Sequence, residues 1–107
     1  MDIDHYNKVF QKLEAYGFEI NKDLEWTFFF FSSKKASLQN IVTELDGFNY
    51  TTVIVKFEAE YKLTATKKEM LTPHKLARRN IAFKELANFN NVLHDGWEVS
   101  KEDFSLH

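Results

Sequence analysis

The sequence predicts an α+β fold in which a leading helix precedes the order βαββαβ. Three observations predict it: apolar residues recur at helical spacing in three stretches, an aromatic run at Trp26 has no helical period, and apolar and polar residues alternate from Thr51 to Thr66. That order packs most simply as a ferredoxin-like antiparallel four-stranded sheet with two crossover helices on one face. The expected unit is a single domain over residues 1–107, long enough to bury a core without staples.

The first helix reads from Asp4, where Tyr6, Val9, Phe10 and Leu13 form one stripe. Gly17 supplies the left-handed residue that ends it, and Phe18 and Ile20 pack back on the stripe. The run Trp26-Thr27-Phe28-Phe29-Phe30-Phe31 then reads as a strand. Aromatic rings on both of its faces predict a central strand covered on both sides, with the first helix over the second face or an edge. Ser32 or Ser33 is the expected cap of the next helix, whose stripe is Leu38, Ile41, Val42 and Leu45 and whose stop is Asp46-Gly47.

From Val53 to Ala65 every odd position is apolar, and apart from Ile54 the even ones are polar or charged. One strand of that length exceeds the usual five or six residues, so a hairpin is expected. A three-residue loop, Glu58-Ala59-Glu60, preserves parity and opposes Phe57 to Tyr61, Val55 to Leu63 and Val53 to Ala65, with all six facing the core. Thr72-Pro73 opens a helix running to about Asn90 and burying Leu76, Phe83, Leu86 and Ala87, with Asn80 on the same side. Asp95-Gly96 is expected to turn the chain into a last short strand, Trp97-Glu98-Val99.

Composition excludes several functions. Without cysteine there is no disulfide framework, thiolate zinc site or cysteine nucleophile, and a reducing, cytoplasmic setting is expected. The three glycines form neither a phosphate-binding loop nor a dinucleotide fingerprint. His5, His74, His94 and His107 have no metal-binding spacing, so neither a metal nor another cofactor is expected. The start of the chain lacks a signal-peptide pattern, and no apolar run approaches a membrane span. Glu58 and Glu60 read as a polar turn and no residue as catalytic, so the chain is not expected to be an enzyme.

Charge is uneven. Lys62 to Lys84 carries seven basic residues against the single acid Glu69, a net of +6 that leaves −8 on the remainder. Lys67, Lys68, Lys75, Arg78 and Arg79 form a candidate basic patch, weighed against a solvated helix face. The βαββαβ order invites comparison with RNA-recognition sheets, but the glycine-aromatic motif of those sheets is missing and direct nucleic-acid binding is disfavoured.

The run Leu76 to Phe83, then Leu86-Ala87 and Asp95-Gly96-Trp97, resembles the carboxyl-terminal signature of the regulator of ribonuclease activity B (RraB) family. Gly17-Phe18, the strand Trp26 to Phe31, Leu45-Asp46-Gly47-Phe48, and Lys67-Lys68-Glu69-Met70 with Thr72-Pro73 agree, so the similarity runs from about Tyr6 to Val99. His94 stands where the family signature has tyrosine, and Glu98 where many members have glycine. The resemblance implies a non-catalytic inhibitor of ribonuclease E that works by binding a protein partner, ribonuclease E or another ribonuclease. It makes Asp95, Gly96 and Trp97 the candidate partner-binding residues. The competing readings are a small-molecule or RNA-binding module and an immunity-type or homo-oligomeric interaction protein.

Overall fold

Strand β1 (Leu24–Ser32) sits inside the sheet with its even-numbered side chains, from Leu24 to Ser32, turned into the core. The computed structural model describes residues 2–100. Around β1 the chain runs α1 (Ile3–Ala15), α2 (Lys35–Glu44), β2 (Thr51–Phe57), β3 (Glu60–Glu69), α3 (Pro73–Phe89) and β4 (Leu93–Ser100). The sheet order is β2-β3-β1-β4 and every pairing is antiparallel. This is the predicted ferredoxin-like α+β architecture with an extra amino-terminal helix. Met1 and residues 101–107, including His107 and the end of the expected domain, lie outside the described residues.

Local chemistry sets the helix ends. Asp2 caps α1 by accepting from the His5 amide at 3.3 Å. Gly17, at φ +91°, closes it, with the Phe18 amide donating to the Leu13 carbonyl and the Gly17 amide to that of Glu14. Asn91, at φ +56°, does the same for α3 through the Val92 amide and the Ala87 carbonyl. Thr72 caps α3 at the Lys75 amide, 3.2 Å, with Pro73 opening its first turn. The cap expected at the start of α2 is corrected. Lys34 occupies the N-cap without a side-chain bond, while the Ser32 hydroxyl accepts from the Lys34 amide one step earlier.

All three helices pack on the even face of β1. Phe10 of α1 stacks on Trp26 at 5.9 Å, Phe83 of α3 meets Phe28 and Phe30 edge-on at 4.9 and 5.5 Å, and Leu38 and Ile41 of α2 are fully buried in the same cluster. Such aromatic contacts contribute about 0.5–1.5 kcal/mol each beyond the area they bury. The Trp26 indole donates to the Glu69 carbonyl at 3.0 Å, so its polar edge is satisfied in a nearly dry site.

The expected cover on the second face of β1 is corrected by this placement. Helix α1 lies along α3 and over Trp26, behind the sheet, and Phe29 and Phe31 remain half-buried on the opposite side.

The hairpin register is corrected too. Phe57 pairs with Glu60, Val55 with Lys62 and Val53 with Thr64, so the loop is the two residues Glu58-Ala59, with Glu58 at φ +57°. A two-residue loop inverts parity between the strands. Leu63 and Ala65 of β3 are buried as expected, opposite Ile54 and Thr52, while Val53, Val55 and Phe57 are about half exposed on the uncovered face.

Candidate functional site

The segment Asp95-Gly96-Trp97 lies within β4, and the turn expected there is a β-bulge. Phe30 pairs with His94 and Phe28 with Trp97, so Asp95 and Gly96 together stand against Phe29 alone. Gly96 supports this with φ +83°, a left-handed conformation that costs glycine little. The reversal itself is made earlier, at Asn90 and Asn91.

The bulge distributes the three residues differently. Trp97 turns inward, half-buried, with its ring 5.6 Å from that of Trp26. Asp95 and Gly96 are exposed on the outer strand, and Leu93 beside them is 60% exposed. Leu93 and Asp95 thus stand at the exposed edge, while Trp97 anchors the strand behind them.

His94 occupies the inward position where the bulge begins. Its Nδ1 donates to the Phe29 carbonyl at 3.1 Å, and its ring packs against Phe30 at 5.0 Å and Phe83 at 6.0 Å. Nε2 lies 3.3 Å from Asn80 Oδ1, and Asn80 Nδ2 lies 3.1 Å from the Tyr6 hydroxyl, a chain of polar groups joining β4 to α3 and α1. Burial pushes the His94 pKa below its ordinary value, against the opposing pull of the Phe29 carbonyl and Asp95. The neutral ring this favours accepts at Nε2, which the Asn80 amide serves with its NH₂ turned toward His94; the doubly protonated ring suits the opposite orientation.

Of the five basic residues, Lys67 and Arg79 meet at the Tyr50 ring, and Lys68, Lys75 and Arg78 are exposed. Lys67 and Lys68 are adjacent on β3 and so project from opposite faces of the sheet. The Lys67 ammonium lies 5.3 Å from the Tyr50 ring centroid. Lys75 and Arg78 are exposed on α3. Arg79 is committed internally: its guanidinium grips both Glu69 carboxylate oxygens at 2.6 and 3.0 Å and donates to the Tyr50 hydroxyl at 2.6 Å. The Glu69 hydrogen bond raises the Arg79 pKa, and burial lifts that of Tyr50 to about 12.

The uncovered sheet face is the surface that sequence reasoning missed. One cross-strand row reads Val55, Lys62, Phe31, Leu93, and the next Val53, Thr64, Phe29. The Lys62 ammonium sits 4.8 Å from the Phe29 ring centroid, and the Thr27 and Thr66 hydroxyls bond at 3.0 Å further along. The signal that could have found this face was the hairpin loop, since only its length decides which side the odd residues of β2 occupy.

Among the described residues no group of three or more His, Asp or Glu side chains could hold a metal ion, and no helix is long and apolar enough to cross a membrane. No curated protein matches the chain. A family model described as "Regulator of ribonuclease activity B" matches residues 3–99.

Proposed function

The chain belongs to the RraB family, the non-catalytic inhibitors of ribonuclease E, and from that premise we propose that it acts by direct protein contact with ribonuclease E or its assembly in the cytoplasm. The observation that carries this reading is the match over residues 3–99, which takes in every helix and almost all of the sheet. By occupying a surface of the enzyme or its scaffold, the domain changes which RNAs are cut without cutting RNA itself.

The geometry of β4 supports contact at the strand's outer edge. Asp95 and Leu93 are exposed there on a backbone held by the bulge and by Trp97, so a partner meets preset groups and little has to be ordered on binding. Asp95 is the contact residue in this reading, and Gly96 and Trp97 fix its position.

The test is nuclease-treated co-purification of the tagged protein with purified ribonuclease E, paired with a cleavage assay in which the protein is titrated against enzyme and RNA. Binding that survives nuclease, with cleavage falling as protein is added, is the expected result. Binding lost on nuclease treatment, or cleavage unchanged at saturating protein, overturns the reading.

A further inference from the structure

We propose that the apolar half of the uncovered sheet face is a docking surface for a partner segment that combines apolar anchors with basic residues. The proposal deepens the protein-contact reading above and rests on it.

The face has the make-up of an interface centre. Leu93, 60% exposed, stands beside the half-buried Phe31, Val55, 47% exposed, lies beyond Lys62 in the same row across the four strands, and Phe57, 53% exposed, extends the patch to the hairpin tip. An uncovered group of large apolar side chains on a rigid sheet is a feature of protein-binding surfaces, where aromatic rings ringed by polar groups carry most of the energy. These rings need no reordering, because the fully buried Phe28 and Phe30 fix the same strand from behind.

Charge selects the occupant. Glu58 and Glu60 at the hairpin tip, and Asp95 and Glu98 along β4, are exposed carboxylates around this half of the face. Among the described residues of the four strands, Lys62 is the cation within the apolar rows, its ammonium drawn onto the Phe29 ring, and Lys68 stands on the same face beyond the threonine row, opposite Glu25. Lys56 alternates to the helix side of edge strand β2. An acidic rim about an apolar centre complements lysine or arginine beside leucine-like anchors. It repels the phosphates of an RNA strand, and a second copy of the same face brings carboxylates toward carboxylates.

The experiment is methyl and amide NMR of the full chain, titrated with a short synthetic peptide alternating leucine and lysine. The controls are the leucine–glutamate counterpart and a single-stranded oligoribonucleotide. Perturbation centred on Val53, Val55 and Leu93 by the basic peptide alone is the expected result. It should weaken by about tenfold or more in Val55→Ser/Leu93→Ser and in Glu60→Lys/Glu98→Lys, with melting temperatures confirming that both variants fold.

Perturbation elsewhere, equal response to the acidic peptide, preferential response to the oligoribonucleotide, or concentration-dependent shifts of the protein alone from self-association each overturns the proposal. Purified ribonuclease E separates the two readings. Undiminished binding by the doubly substituted variants removes this face and leaves the protein-contact function standing. Failure of the wild-type protein to bind removes the function, and the peptide titration still decides the face.

Discussion

His94 Nδ1 reaches the Phe29 carbonyl at 3.1 Å, at the one place where β1 and β4 lose their regular register. A side chain thus supplies a donor to a backbone oxygen where the bulge interrupts the ladder. The same ring continues through Asn80 to Tyr6, so the irregularity is tied to two helices.

The protonation state of that ring sets a pH dependence. Burial lowers the folded-state pKa of His94, so the unfolded chain, near the ordinary value of about 6.5, binds the proton more readily. The contribution to stability is complete above about pH 6.5 and is lost as pH falls from there through the folded-state value. Urea unfolding between about pH 7.5 and 5 is expected to show a larger acid loss for the wild type than for His94→Gln, and NMR titration should place His94 below the ordinary histidine value.

Neighbouring arginines on α3 are expected to behave differently. Arg79→Ala strands the Glu69 carboxylate and the Tyr50 hydroxyl in a largely buried site and should cost about 2–3 kcal/mol. Arg78→Ala removes an exposed side chain and should stay within about 0.5 kcal/mol. Denaturant midpoints at constant m-value measure both, and equal costs would sink the assignment of Arg79 as an internal brace.

Gly96→Ala tests backbone strain alone. A Cβ at Gly96 meets nothing within 4 Å, yet φ +83° is poorly tolerated by an L side chain, so a loss of about 1–2 kcal/mol is expected without any clash. Thermal unfolding monitored by circular dichroism gives the number.

Trp97 and Asp95 should separate folding from recognition. Trp97→Ala removes a half-buried ring packed on Trp26 and should cost about 2–3 kcal/mol. Asp95→Ala should leave the melting temperature nearly unchanged while weakening ribonuclease E binding. A biosensor measurement on folded Asp95→Ala with wild-type affinity would remove that side chain from the interface.

The hairpin tip offers a stabilising change. Glu58 holds φ +57°, a conformation asparagine adopts more readily, so Glu58→Asn is expected to raise stability by about 0.5–1 kcal/mol. Chemical denaturation would register this as a higher midpoint with an unchanged slope.

Element order was legible because its signals are local: the stripes at Tyr6 and Leu38, the Thr72-Pro73 start and the Gly17 stop each need only a few neighbouring residues. The sides of the sheet were not. In β2 the outward residues Val53, Val55 and Phe57 are more apolar than the inward Thr52, so alternation pointed to the wrong face. Phe29 and Phe31 misled for the same reason, because a surface held for a partner and a surface held for the core use the same side chains. At Asp95-Gly96 the residues for a turn and for a bulge coincide, and only pairing with β1 distinguishes them. Lys67 and Lys68 adjoin in sequence but strand alternation parts them, whereas Lys67 and Arg79, distant in sequence, meet at the Tyr50 ring, where Glu69 holds Arg79.

The extra residue in β4 sets a reading frame for the outer strand. His94 and Trp97 are an odd number of residues apart and still face the same way, which a regular strand forbids. Deleting Gly96 would leave them two apart, the spacing at which a regular strand puts both on one side, so Trp97, Glu98 and Val99 would keep their present faces. What would be lost is the irregularity itself: Asp95 alone would stand against Phe29, the local kink would straighten, and the exposed edge beside Leu93 would be redrawn by the loss of a residue that has no side chain.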